Sequence, residues 1–192
     1  MYCTAADLKT YLGIASANTD DDTLLTALIS SAQAIIDTAT GRTFEAAADT
    51  TRYFDAVHDV DGYELIFDAD ICAITTVTNG DSEAVASNEY TTKPRNETPY
   101  YAIRLLDSAQ KSWTYTTDSE GAISVEGKWA YSESAPANIV HATKRLAAYL
   151  YRQKDNANDL DRALVVGNAT VLPSNLPSDV MTIIRPYIRI IP

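Results

Sequence analysis

The feature that most constrains this chain is a double change of hydrophobic period: helical up to about residue 50, alternating from there to about residue 131, and helical again from Pro136. A chain built this way must bury helix stripes and sheet faces in one molecule. The fold class it implies is α+β, a small helical bundle from the N- and C-terminal helices with a central antiparallel β subdomain. The expected segmentation is residues 1–49 for the first helices and 50–135 for the β subdomain. Residues 136–192 then supply the last helices, a long loop and a terminal arm.

The opening TAADLKTYLG has the form of a capping box. Thr4 is placed to cap and Asp7 stands three residues on, with Leu8, Tyr11 and Leu12 on one face and Gly13 as the stop. The next stretch sets Asp20, Asp21 and Asp22 at a helix start, where carboxylates complement the macrodipole. Leu24, Leu25, Leu28, Ile29, Ala32, Ile35 and Ile36 follow at helical spacing, and Gly41 terminates. That apolar face is too broad for an isolated helix, so it must pack on something.

The middle of the chain reads as strands. TRYFDAV, YELIF, ICAITTVT, YAIRLL and AISVEGKWAY are rich in β-branched and aromatic residues, and the pairs Asp61-Gly62, Asn79-Gly80 and Glu120-Gly121 mark turns. Pro94 and Pro99 bracket a loop. Trp113, Tyr115, Trp129 and Tyr131 read as alternating with polar residues, as in an antiparallel sheet that fills one face, which points to a core or a subunit interface. From Pro136 the helical period returns, with Ile139, Val140, Thr143, Leu146, Ala147, Leu150 and Tyr151 on one side and Lys144, Arg145 and Arg152 on the polar side. Residues 154–175 read as a long loop. Pro177 starts a last short helix that Pro186 interrupts before the chain runs out in YIRIIP.

Charge excludes some functions. Residues 1–96 carry 16 acids against 5 bases and residues 97–192 carry 10 of each, so the net charge of -11 lies in the first half. A DNA reader needs a basic stripe to neutralise phosphates, and none is present. Solubility alone explains such acidity; the functional reading is a surface that DNA passes without adhering. No apolar run approaches the roughly 20 residues that span a bilayer, and no signal-peptide pattern opens the sequence, so a soluble, unsecreted protein is expected. Cys3 and Cys72 form no CxxC pair, which fits reduced thiols.

Catalytic and ligand-binding patterns are weak. Neither GxGxxG nor GxxxxGK[ST] nor GxSxG occurs, and His58 and His141 lack companions at metal-ligand spacing, so no cofactor, metal or catalytic residue is expected. His141 reads as a partly buried helix residue. Asp55, Asp59 and Asp61 before Gly62 loosely resemble a calcium loop, but the chain runs directly into YELIF and a hairpin turn with solvated acids is the plainer reading. A small hydrolase or carbohydrate-binding module using these aspartates and the tryptophans stays open as a distant alternative.

Taken together, the LKTYLGI opening, the DDxLLxxLIxxAxxxIxxxTGRxF helix from Asp21 to Phe44, the TRYFD strand and the RLAAYLYRQKDN helix from Arg145 to Asn156 resemble the head-tail connector (adaptor) proteins of long-tailed phages. The resemblance spans nearly the whole chain, most specifically in its two long helices, and is weakest in the β region. It implies a non-enzymatic virion protein, made in the host cytoplasm, that forms a homo-oligomeric ring, usually of twelve, at the neck. The ring would join the portal protein of the filled capsid to the tail, leaving a channel through which genomic DNA passes unbound, with no membrane involved. Another neck or tail-completion protein is the alternative within that class, and such a protein is also an expected partner.

Two sets of contact residues follow. Arg42, Lys144, Arg145 and Arg152 carry charges suited to the acidic half of a neighbouring subunit, although a solvated helix face explains them equally. By the resemblance, the end of the chain, Tyr187, Ile188, Arg189, Ile190 and Ile191, is an arm toward the portal; folding back on its own domain is the competing expectation.

Overall fold

The computed structural model describes residues 1–46, 48–153, 164–166, 169–171 and 176–189. The chain divides into two compact units, one of residues Met1–Gly41 with Ala135–Pro192, the other of Arg42–Ser134.

The first unit is helical, with α1 (Ala5–Leu12), α2 (Asp22–Thr40), α3 (Ala137–Gln153) and α4 (Ser178–Ile184). Its start is set by local chemistry. The Asp7 N–H donates to Thr4 Oγ1 at 3.1 Å and the Thr4 N–H donates to Asp7 Oδ2 at 3.0 Å, the reciprocal box expected from the sequence. Gly13 and Gly41 close α1 and α2 with φ of 75° and 65°, a left-handed turn that a side chain resists. α2 packs against α3, α3 against α4, and α1 against both long helices. The buried residues Leu25, Ile29, Ala32 and Ile36 keep the spacing that brings one stripe inward, and Leu8, Ile139, Leu146, Ala147, Val180 and Ile184 complete the core. Each fully buried Leu or Ile contributes roughly 1.5–3 kcal/mol, so this stripe rather than helix propensity holds the unit.

Both ends of the chain are tied to α2. Tyr2 is buried and its hydroxyl donates to Asp37 Oδ1 at 2.6 Å, while the Arg189 N–H donates to Thr40 O at 2.8 Å. Asp21 makes no side-chain cap at the start of α2 and instead accepts the Tyr151 hydroxyl at 2.5 Å. Asp22 pairs with the buried ammonium of Lys9. The aspartates therefore stitch helices together as well as facing the dipole. His141 is exposed rather than partly buried, and its ring stands edge-on to Tyr11 with centroids 6.2 Å apart.

The second unit holds β1 (Thr50–Phe54), β2 (Val60–Asp61), β3 (Glu64–Ile71), β4 (Ala73–Thr78), β5 (Tyr90–Lys93), β6 (Tyr100–Leu105) and β7 (Ile123–Lys128). Two antiparallel sheets result, in the orders β1-β7-β4 and β2-β3-β6-β5. The chain crosses between the two sheets four times, most tightly at Cys72, between β3 and β4. Between them lies a core of Phe54, Leu65, Phe67, Ile71, Val77, Ile103, Leu105, Ile123 and Val125, closed by Trp113 and Trp129. Phe54, Phe67 and Trp129 meet with ring centroids 5.3–5.7 Å apart. Each indole N–H finds a carbonyl, Trp129 at Thr50 O and Trp113 at Tyr63 O, both at 2.9 Å.

Several expectations shift in detail. Trp113, Tyr115, Trp129 and Tyr131 all lie outside the named strands, and Tyr115 is 47% exposed, so their alternation is not that of one sheet face. Asn79-Gly80 is no simple hairpin turn. Asn79 is buried, its Oδ1 accepts the N–H groups of Gly80 and Thr114, and its Nδ2 donates to Ser112 O. The stretch expected as a plain loop contains an antiparallel pair, β8 (Leu164–Val166) with β9 (Ala169–Val171). Two β-branched runs around Gly167-Asn168 in the sequence are a hairpin signal that outweighs the polar composition around them.

Candidate subunit interface

Among the described residues no group of three or more His, Cys, Asp or Glu is arranged to hold a metal, and no helix is long and apolar enough to cross a membrane. Asp55 and Asp59 serve their own turn. Asp55 Oδ1 accepts the His58 N–H at 2.9 Å and the Val57 N–H at 2.6 Å, bonds that hold its carboxyl below the usual range, and Asp59 Oδ2 accepts the Asp55 N–H at 2.7 Å. Asp61 is exposed at the end of β2. Asp55 and Asp59 are half-buried and cap the turn that carries the chain from β1 to the other sheet at β2, so only Asp61, in the β2-β3 hairpin, is the solvated hairpin acid of the plainer sequence reading. Both cysteines are free, and burial pushes their thiols up, away from reactivity.

The contact residues expected from the sequence fall into three places. Arg42 belongs to the β unit, where its Nη1 donates to Asp70 Oδ2 at 2.6 Å and its guanidinium lies 5.5 Å over the Tyr131 ring. Lys144, Arg145 and Arg152 lie on α3. Lys144 stands 3.7 Å from Asp7 and Arg145 pairs with Asp179, both acids of the same unit, whereas Arg152 has no ion pair among the described residues. Arg145 and Arg152 are two helical turns apart and flank one groove, which Tyr11 and Tyr149 also line. Tyr187 ends a 3-10 turn after α4, Ile188 is 40% exposed, and Arg189 is the residue bonded to Thr40. Ile190 and Ile191 lie outside the described residues.

Sequence reasoning missed the most exposed aromatic. Tyr53 is 70% exposed on β1, directly after Arg52 and before the buried Phe54. Because successive strand side chains point to opposite faces, a buried Phe54 puts Tyr53 outside, so the signal was present in TRYF. Tyrosines in such positions are typical anchors of protein interfaces.

Comparison with known proteins gives a consistent result. The family model described as head completion protein matches residues 2–190. A chain from the neck of an empty gene transfer agent particle, with C6 symmetry, is 16% identical with a TM-score of 0.63, covering 99% of this chain and 92% of that one. A second, from the neck of the native particle with C12 symmetry, is 15% identical with a TM-score of 0.56, over 97% and 90%. A third, from the virion of the native particle, is 16% identical with a TM-score of 0.61, over 99% and 92%. No curated protein matches. At these identities the structures speak to fold, and the family match spans nearly all of the sequence: the chain belongs to the head completion protein family.

Proposed function

We propose that the chain is a connector subunit that seats as a ring on the portal protein and receives the tail-side neck or tail-completion protein, enclosing a channel for DNA without catalytic work of its own. The coarser statement, a structural protein of the virion neck built into a ring, follows from the family and from the shared fold. The observation that carries the finer reading is that fold, common to 99% of this chain and a neck subunit of a particle with closed symmetry. Twelve copies is the count favoured, since a related neck has C12 symmetry.

The charge arrangement supports the channel. Lys9, Arg42, Arg52, Lys93, Arg104, Lys111, Lys128, Lys144 and Arg145 are each paired with a carboxylate of their own chain. A phosphate backbone would have to displace those partners while facing a net charge of -11. Arg42, Lys144, Arg145, Arg152 and the residues from Tyr187 to Ile191 remain the proposed contact set. Arg152, exposed and with no ion pair among the described residues, is the member with most to offer a neighbour. Native mass spectrometry of the protein with and without purified portal tests the proposal. A ring that forms on the portal is expected; a chain that stays monomeric in its presence refutes it.

A further inference from the structure

Within the ring proposed above, on which this depends, we infer that the groove of the helical unit receives the acidic tip of the β unit of a second copy of this chain, with Tyr53 as the anchor. The groove has a volume of about 160 Å³ and is lined by Tyr11, Tyr149, Arg145, Arg152 and Asp179 together with the buried Ala148 and Val180; Asp179 pairs with Arg145, so Arg152 is the lining charge with no ion pair among the described residues. Sites for small-molecule ligands run to roughly 300–1,000 Å³. A cavity of about 150 Å³ holds a single benzene ring. The space here therefore suits one aromatic side chain, and two tyrosines with the Arg152 guanidinium suit a ring that arrives with a carboxylate beside it.

The chain carries one such element. Tyr53 (70%) and Val57 (51%) are strongly exposed at the end of β1. The Ala56 N–H donates to Ser119 O at 3.0 Å, which binds this end to the turn of residues 119–122, and the Cβ of Tyr53 stands 3.7 Å from where a Cβ on Gly121 would be. Residues 53–63 and 115–122 contain five carboxylates and no lysine or arginine. Asp118 and Glu120 are exposed and have no ion pair among the described residues, and Arg152 is in the same condition at the groove. A ring with a single subunit type closes through two different patches on each copy, one projecting and one receiving. Here the projecting patch is acidic and aromatic, and the receiving one is aromatic and concave, with Arg152 beside it.

The test uses the full chain assembled on purified portal at about 150 mM salt, read by native mass spectrometry. Arg152→Glu and the double change Asp118→Lys with Glu120→Lys should each raise the protein concentration needed for half-complete rings about tenfold. Combining all three should bring it back toward the wild-type value. Unchanged assembly of Arg152→Glu, or a combined variant no better than its parents, overturns the inference. Tyr53→Ala should weaken assembly at least as much as either charge reversal. In a Cys72→Ser background, Tyr53→Cys with Tyr149→Cys, treated with a short bis-maleimide on the portal, should give a ladder of linked subunits; monomer alone overturns the inference as well. If the wild-type chain forms no ring at all, it is the ring reading that fails, which separates the two outcomes.

Discussion

Gly127→Ala should cost the β unit about 3 kcal/mol, far more than its one added methyl group suggests. Gly127 is in β7, the central strand of its sheet, opposite Thr50 on one side and Ile74 on the other. A Cβ there would lie 2.2 Å from the Ala73 carbonyl oxygen and 2.8 Å from Ile71 Cδ1, both inside the 3.0 Å that real Cβ atoms respect. The oxygen is backbone, so relief means moving the start of β4. That movement strains the Cys72 N–H bond to Lys128 O (2.9 Å) and the neighbouring ladder, at about 1 kcal/mol net per bond lost. Overpacking adds about 1–3 kcal/mol. A more restricted unfolded chain returns about 0.4–1 kcal/mol, since φ here is not one that glycine alone adopts. The assay is urea unfolding followed by tryptophan fluorescence, because Trp113 and Trp129, the only tryptophans, are both buried in this unit. With a slope of about 1.5 kcal/mol/M, the midpoint should fall by about 2 M. Gly13→Ala is the control. It meets no atom within 4 Å and costs only its left-handed backbone, about 1 kcal/mol, in the helical unit. A Gly127→Ala midpoint within about 0.5 M of wild type would refute the reasoning.

Trp129→Phe removes the indole donor to Thr50 O and leaves a smaller, weaker aromatic face for the Arg52 guanidinium, which lies 4.7 Å from the ring; a loss of about 1–2 kcal/mol by chemical denaturation is expected. Asp22→Ala strands the buried ammonium of Lys9, and since Asp22 is itself 41% exposed the cost should be about 1–2 kcal/mol by helical circular dichroism. Lys9→Met with Asp22→Leu should recover most of it. For Asp37, burial pushes the carboxyl above its ordinary value, against the Tyr2 hydroxyl bond that lowers it. The folded state then binds the proton more tightly than the unfolded one, so the group opposes folding once pH exceeds that raised value, and stability recovers as pH falls through the window toward 3.8. Asp37→Asn should accordingly raise the thermal midpoint at pH 7 by an increment that vanishes below about pH 4; a lowered midpoint at pH 7 would mean that the Tyr2 bond to the carboxylate dominates.

What the sequence made legible was mostly local. The Thr4 and Asp7 box, the glycine stops and the stripe Leu25, Ile29, Ala32, Ile36 each depend on residues three to seven apart, where spacing alone decides the geometry. β5 went unread because Tyr90–Lys93 is short and polar, a strand only through its ladder with β6. The roles of Asp21 and Asp22 were half read. The macrodipole is visible in sequence, but their partners Tyr151 and Lys9 come from other helices. The same limit applied to the groove: Arg145 and Arg152 share a face by their spacing of seven, whereas nothing along the chain brings Tyr11 beside them.

Charge bookkeeping also decides what can hold copies of this protein together. Two subunits that each carry -11 repel at long range, and salt screens that repulsion over about 8–10 Å. Most of the lysines and arginines that might offset it are already committed within the chain, at Asp70, Asp68, Glu64, Glu89 and the other carboxylates. Ion pairs between copies must therefore be few, and exposed ones contribute at most about 1 kcal/mol each. The free energy of closure has to come from apolar and aromatic surface, which is present at Tyr53, Val57, Ile66 and Tyr101 on the β unit and Tyr149 on the helical one. The few charges with no ion pair among the described residues would then act mainly on register and on the rate of encounter. On the proposed reading, acidity that would keep DNA from adhering and exposed tyrosine that would let copies associate are thus two consequences of one arrangement, in which the chain uses most of its bases on itself.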